Sequence, residues 1–359
     1  MSADGQVDPP VAQGTPPAAT AVGLATTRVS LRRRLLASPA TVLALVILVF
    51  VVFGATQTDR FLDALTWINI LRNAVFLVIV GVFTTMVLIS GGLDLSIGSV
   101  FVAGAVSAAA AAHAGLPVPV TLMLGTSAGV AVGLLNGILI NYARIPSIIV
   151  TLGTLFAVRS IVVAVTQGNS IGPLPIEFTT IGQGELFGIP YLIFYAIFIA
   201  LIGHVLLQYA NLGWSIRAIG GNSDASSRFG IPVRALSTLV YTLSGASAAF
   251  AGMLMASRLS SGSPSLGSGF ELQVIAAAII GGTSLSGSIG SIPGTVLGAL
   301  LLSVLSTGLV LLKVDPSLQN FAVGAILILA AGVDQFRKGR MFRRAITPAS
   351  AKRPAPGKA

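Results

Sequence analysis

Few residues in this chain could do chemistry, and their types exclude most of it. Asp94, Arg159 and Glu271 are ionisable groups within or at the edges of long apolar runs, where such groups are scarce. A charge in hydrocarbon is costly, so each is expected to face the protein interior or a bilayer edge. Asp94 sits at a glycine-rich break and reads as a helix cap. Arg159, late in its run, reads as a side chain reaching the outer interface or as a partner in a pathway. Glu271 opens its run and complements the positive end of a helix dipole. These three do not make the acidic chain that a proton- or sodium-driven carrier uses. The sequence has no Cys and two His, His113 and His204. That excludes disulfides, thiolate metal sites, a Cys nucleophile and a His-rich metal site. His204, near the inner end of an apolar run, reads as structural. No G-x-x-x-x-G-K-[ST] phosphate loop occurs, and the only Gly-Lys pair is Gly357–Lys358.

The second constellation lies in a polar insert, Asn211 to Arg234, with apolar runs on both sides. Asn222 can cap a helix N-terminus and Asp224 complements the positive end of its dipole. Arg228 complements the negative end, and Gly230 is a natural stop ahead of Pro232. The spacing predicts a two-turn helix at about Ser223–Phe229. Such a helix has little core of its own to join and reads as a docking element for another protein. Phe229 is an aromatic on a polar loop, suited to anchor an interface, or else to pack on the chain's own surface. Arg228 can pair with an acid on that partner.

The elements that must carry these residues follow from composition. The 359 residues are 54% hydrophobic and 9% charged, with mean hydropathy +0.92. Soluble domains are roughly 25% charged. So little charge cannot cover a water-facing surface, and the fold class expected is an all-α polytopic membrane protein. The 41 glycines fit, because small residues let membrane helices pack closely. Apolar runs give about ten spans: 38–56, 70–90, 96–113, 117–140, 147–167, 189–209, 235–256, 270–285, 293–312 and 318–335. With the N-terminus inside, sixteen of the 21 Lys and Arg fall on the cytoplasmic side. Arg60, Arg72, Arg159, Arg258 and Lys313 are the others. The 168–188 loop carries Glu177 and Glu185 without a base and falls outside. This asymmetry follows the positive-inside rule, so the net charge of +10 is a topology signal. Nucleic-acid binding needs a clustered basic patch with readout side chains, which is absent.

Both termini are therefore expected in the cytoplasm. The chain divides into a disordered cytoplasmic segment, 1–37, a transmembrane domain, 38–336, with the cytoplasmic loop 211–234, and a basic tail, 337–359. Arg32–Arg34 ahead of the first apolar run read as the flank of an uncleaved span. The tail reads as a solvated flank touching anionic lipid.

Three glycine-rich segments break the spans: Gly91–Ser99 (G-G-L-D-L-S-I-G-S), Gly262–Leu272 (G-S-P-S-L-G-S-G-F-E-L) and Gly281–Gly294 (G-G-T-S-L-S-G-S-I-G-S-I-P-G). At Gly91, Gly92, Gly281 and Gly282 the backbone can turn or be closely approached, and Asp94 or Ser96 can cap the next helix. Non-helical backbone at membrane depth survives only when buried in protein or facing a cavity. These segments are thus either tight turns at the bilayer edge or broken helices lining a pathway.

From Asn69 to Asp334 the chain resembles the permease subunits of bacterial carbohydrate ABC importers of the ribose/xylose/galactose type. The resemblance is carried by Gly91–Ser99, by L-N-G-I-L-I at Leu135–Ile140 and by I-P-S-I-I-V-T-L-G-T-L at Ile145–Leu155. It continues with R-A-I-G-G-N-S-D-A-S-S-R-F-G-I at Arg217–Ile231 and Y-T-L-S-G at Tyr241–Gly245. It closes with the run Gly269–Gly290 and Val333–Asp334. The resemblance implies a bacterial inner-membrane location, two permease subunits forming a homodimer, an ATPase with two nucleotide-binding domains and a periplasmic sugar-binding protein. It also implies that this chain binds no cofactor, with ATP and Mg held by the partner ATPase. Gly220–Gly230 matches the family's segment for coupling to the ATPase. That role carries over to Asn222, Asp224, Arg228, Phe229 and Gly230, although Phe229 stands where many members have Ser or Leu.

In such importers the permease offers a weak polar path. Asn73, Thr154 and Gln273 are candidates for it, and each also reads as an interhelical hydrogen bond. The expected function is passage of a monosaccharide or related polyol, driven by a separate ATPase. A related permease for nucleosides or branched-chain amino acids, an ion-coupled carrier and a membrane scaffold are the alternatives.

Overall fold

The computed structural model describes residues 39–315 and, beyond them, Phe321, Gly324, Ala325 and Ile328. The expected segments 1–37 and 337–359 and most of the expected span 318–335 lie outside the described residues. Twelve α-helices have both ends among the described residues, and a short 3-10 helix, Asp59–Leu62, joins the first two. The α-helices are α1 (Pro39–Gln57), α2 (Ala64–Ile89), α3 (Ile97–His113), α4 (Val118–Asn141), α5 (Ser147–Thr166) and α6 (Ile176–Gln183). After them come α7 (Tyr191–Gln208), α8 (Asn211–Gly221), α9 (Ser223–Arg228), α10 (Val233–Leu259), α11 (Phe270–Ile280) and α12 (Ile292–Leu311). A two-stranded antiparallel hairpin, β1 (Glu185–Leu186) and β2 (Ile189–Pro190), joins α6 to α7.

Local chemistry sets the boundaries. Pro117, Pro146, Pro175, Pro190 and Pro232 stand at N-cap positions, where a missing N–H and a fixed φ cost little. Ser291 caps α12 by accepting from the Gly294 amide at 3.3 Å. The α2 helix ends where Gly91 takes φ +84°, a conformation that a Cβ disfavours.

Among the described residues, six helices are long and apolar enough to cross a membrane: α2, α4, α5, α7, α10 and α12. The chain is therefore an all-α integral membrane protein. The third expected span, 96–113, matches α3 to within one residue, whereas the eighth, 270–285, is shorter than the sequence pattern implies: α11 has 11 residues. The eighth stops early because Gly281 and Gly282 turn the backbone, with Gly282 at φ +91°.

The helices α2 and α10 form the middle of the bundle. Their most apolar stretches are 78% and 67% buried, against 17–22% for α4, α5 and α7. The main apolar core lies between α2, α3, α10 and α11, with Phe76, Phe101, Leu254 and Val274 among its fully enclosed side chains.

On α4 the buried stripe is almost entirely glycine: Gly125, Gly129, Gly133 and Gly137, one every fourth residue, with Thr121 and Asn136. Residues four apart share a helix face. That face lies against α10 so closely that the two backbones touch. A Cβ on Gly133 would sit 2.5 Å from the Tyr241 carbonyl oxygen, and one on Gly137 would sit 2.8 Å from Thr238 Cα. At the upper end of the stripe, a Cβ on Gly125 would lie 2.9 Å from Ala108 Cβ of α3.

A single methyl group tests this packing. Gly133→Ala should destabilise the purified protein by about 1–3 kcal/mol, because backbone must move. Gly153→Ala, on the open face of α5 with nothing within 4 Å of the new Cβ, should instead raise stability by about 0.5–1 kcal/mol through helix propensity. Thermal unfolding midpoints in one detergent read both. Shifts of the same sign would contradict close α4–α10 contact.

Candidate coupling site and helix breaks

The polar insert folds as two helices rather than one. The second, α9, occupies the position expected from the caps. The Asn222 side chain accepts from the Ala225 amide at 2.9 Å. Asp224 lies in the first turn and Arg228 in the last. Gly230 takes φ +81°, and the amides of Gly230 and Ile231 close the end onto the carbonyls of Ser227 and Ser226 at 3.1 Å. All five residues expected to couple to an ATPase are exposed, and Ser226 is the one buried position of α9. Phe229 is 87% exposed, so it does not pack on the chain's own surface. Arg228 makes no ion pair among the described residues.

The first helix, α8, is amphipathic, with Gly213, Ile216 and Ile219 buried. Their spacing of three is the sequence signal that marks it. Arg217 extends back to the preceding span, donating to the Leu207 carbonyl at 2.7 Å and thereby satisfying a C-terminal carbonyl of α7.

Beneath α8, two of the three glycine-rich segments come together, although almost 200 residues separate them in sequence. Ser288 donates its amide to the Ile89 carbonyl at 2.8 Å. The Ser288 hydroxyl donates to the Arg217 carbonyl at 3.2 Å. Gly220 is wedged between them, and a Cβ there would overlap the Ile89 carbonyl and approach the Ser288 amide to 2.7 Å. Gly287, at φ +85°, abuts both Gly220 and Gly91; a Cβ on it would lie 3.2 Å from either Cα. One step further in, Gly281 packs against the backbone of Gly294, joining the ends of α11 and α12. Gly92 faces the Tyr241 ring of α10. The helix α8 is thus joined, backbone to backbone, to the α2–α3 break and to the α11–α12 break.

Asp94 and Ser96 occupy the first break, and neither caps α3 in the expected way. Ser96 is the N-cap residue but its side chain makes no capping bond. Asp94 is buried; its Oδ1 accepts from the Ser96 amide at 3.0 Å and from the Ser96 hydroxyl at 2.6 Å. Its Oδ2 accepts from the Ser244 hydroxyl of α10 at 3.0 Å. Asn136 of α4 donates to Ser96 Oγ at 2.9 Å. The carboxylate turns inward to α10 because that side supplies a donor, and it ties three helices at the break.

The second glycine-rich segment is held from α5. Arg159 donates to Ser268 Oγ at 2.8 Å and to the Leu266 carbonyl at 3.2 Å. Glu271 lies in the first turn of α11 beside Gly98.

The three path candidates are not brought together by any mutual hydrogen bond. Asn73 accepts from Arg258 Nη1 of α10 at 3.1 Å. Thr154 bonds within its own helix, to the Val150 and Thr151 carbonyls. Gln273 sits partly exposed in α11.

Beside α9, an open cleft of about 970 Å³ is lined by residues of the α4–α5 turn and of the α10 start. Asn141, Tyr142, Arg144, Asp224, Ser227 and Arg234 supply its polar wall. Arg234 stacks over the Tyr142 ring at 6.0 Å. Sequence reasoning does not select Tyr142, Arg144 or Arg234 for a docking surface, because only folding places the 141–146 turn against the 211–234 insert.

A bundle of apolar spans broken by glycine turns, with an exposed helix joined to those breaks, defines an integral membrane protein built like a transport permease. Residues 66–331 match the family described as "Branched-chain amino acid transport system / permease component", and the chain belongs to that family. It is 30% identical to the xylose transport system permease protein of Haemophilus influenzae, over 84% of this chain and 97% of the relative. It is 34% identical to the ribose import permease protein of Bacillus subtilis, over 82% and 91%. It is 35% identical to the L-arabinose ABC transporter permease protein of Azospirillum brasilense, over 84% and 89%. No solved structure matches the chain.

The Asp94 cluster makes a stability prediction. Asp94→Ala leaves the Ser96 and Ser244 hydroxyls without their buried acceptor and should cost about 1–3 kcal/mol. Ser244→Ala should cost less. In the double variant the losses should fall short of their sum, because the two share one bond. Thermal unfolding in detergent measures all three, and strict additivity would show that the bond is absent.

Proposed function

We propose that this chain is the membrane-spanning subunit of an ABC importer that passes a monosaccharide or related polyol across the bacterial inner membrane. The observation that carries the reading is the exposed helix α9, with Phe229 at its end, joined through α8 to two helix breaks. A partner that closes on ATP and grips α9 would move span ends directly. The family description names amino acids, but the three relatives cited above are all named for sugars. That favours sugar cargo over amino acids or nucleosides.

In this proposal two permease subunits form the pore as a homodimer. An ATPase with two nucleotide-binding domains holds the ATP and Mg and docks on α9, and a periplasmic binding protein delivers the sugar. Both termini face the cytoplasm together with α8, α9 and the cleft beside them. The weak polar path runs past the helix breaks; Asn73, Thr154 and Gln273 remain its proposed polar contacts. An ion-coupled carrier would work without the ATPase, so ATP dependence separates the two readings.

Reconstituted vesicles provide the test. Alone, this chain should neither hydrolyse ATP nor accumulate sugar. With its ATPase and liganded binding protein, hydrolysis should rise above the ATPase-only rate and uptake should appear. Phe229→Ala should weaken ATPase docking by about 2 kcal/mol, roughly 30-fold, as loss of an interface anchor does. Gly230→Val should impair coupling by straining the φ > 0 turn, since the site has open space for the side chain. Membrane insertion should be normal in both variants. Uptake driven by a proton gradient without the ATPase would refute the proposal, as would normal docking and normal uptake in both variants.

Sidedness has its own measurement. A single cysteine introduced at Thr180 of the 168–188 loop should react with a membrane-impermeant thiol reagent added from the periplasmic side. One introduced at Ser227 should react only from the cytoplasmic side. The reverse pattern would invert the topology.

A further inference from the structure

The hairpin β1–β2 presents the most exposed large apolar side chain among the described residues. Phe187 is 95% exposed at its tip, with Leu186 at 45% and Ile189 at 44% beside it. The turn is unusual for its residues. Phe187 has φ +53° and Gly188 φ +77°, the pair of positive values that a two-residue hairpin turn of type I′ requires. Asn, Asp or Gly ordinarily fills the first of those positions, and a bulky aromatic is disfavoured there. The chain holds a Phe outward at a conformational cost.

The base of the hairpin is fixed. The Tyr191 amide donates to the Gly184 carbonyl at 2.9 Å. Glu185, the only charge on the hairpin, is paired with Arg72 of α2 at 2.6 Å. The rest of the hairpin is therefore uncharged and apolar.

Its place follows from α7. Pro190 is both the end of β2 and the N-cap of α7. The 18 residues of α7 span about 27 Å, close to the roughly 30 Å hydrocarbon thickness of a bilayer. The exposed side chains Phe194, Ile197, Phe198, Leu201, Ile202 and Val205 form one apolar stripe along the length of α7, the pattern of a lipid-facing helix. Immediately before such a span, and at the end of α7 opposite α8, the hairpin falls at headgroup depth. Apolar and aromatic side chains at that depth are held by the interface itself.

We propose that the β1–β2 hairpin is a membrane-dipping anchor, with Phe187 inserted among the lipids of the leaflet away from α9. A lipid surface suits it better than a protein partner. The apolar hairpin leads directly into α7, whose lipid-facing stripe begins at Phe194, and its one charge is already neutralised from within the chain. The anchor would hold the α6–α7 connection, and with it Arg72 and α2, at a fixed depth.

Depth-dependent quenching tests this in the full chain, which has no native Cys. Phe187→Cys and, separately, Ile189→Cys are labelled with a small environment-sensitive fluorophore and placed in lipid nanodiscs without any partner protein. Brominated acyl chains should quench both labels, and aqueous iodide should not. Thr180→Cys, exposed on α6, is the control and should show the opposite pattern. Iodide quenching without bromolipid quenching at both hairpin positions would overturn the anchor. So would shielding that appears only on adding a periplasmic binding protein, or only at concentrations that bring two copies together, since either places a protein on the hairpin.

Discussion

The structure depends on backbone approaching backbone where no Cβ intervenes. Lipid tails are as apolar as leucine, so membrane helices gain little from burying apolar surface against one another, and close van der Waals contact must hold them. Here that contact is made by glycine along the whole α4–α10 seam and continues from α10 into α3. Gly104 faces the Ala249 backbone, and Gly252 faces the Phe101 backbone. With α10 thus clasped on two sides, α2 and α11 have a fixed surface to pack on. The lipid-facing helices can then vary in side chain without disturbing the middle.

The same closeness explains why polar groups can sit at the breaks. Unwound backbone in a membrane leaves amides and carbonyls that water cannot satisfy. Two of the breaks are held by polar side chains. Asp94 and Asn136 serve the α2–α3 break, while Arg159 serves the stretch before α11. Asp94 and Arg159 thus spend hydrogen bonds on the irregular parts of the chain itself.

How much of this could be read beforehand depended on how local the chemistry is. The helix α9 was legible because its cap, charges and stop lie within nine residues, Asn222 to Gly230, and act on one another. The spans were legible as apolar runs, α3 to within a residue, yet length alone does not show where a run is interrupted, so α11 comes out shorter than its run. The hairpin was hidden because Phe187 is a poor turn residue by type, so the usual Asn-Gly signal is missing. The glycine contact between Gly91, Gly220 and Gly287 was out of reach, because glycine marks close approach without naming what approaches. That the path candidates make no hydrogen bond with one another was out of reach for a related reason. A lone Asn, Thr or Gln on an apolar helix shows neither its facing nor its neighbour until the helices are packed.

The junction at Gly220 bears on how force would travel if an ATPase grips α9. Side chains on a surface helix can change rotamer and absorb a small displacement. Backbone atoms in contact cannot, and at Gly220 the contacts on both sides are backbone. Arg217 adds a third connection, to the end of α7. A shift of α8 therefore reaches the ends of α2, α7 and α12 together, with the Ser288–Ile89 hydrogen bond keeping two of them in step. Moving those ends independently would require breaking that bond and opening the glycine contact. On the proposed reading, the coupling segment acts less as a lever on one helix than as a common footing for three, and access to the path would change by their joint tilt.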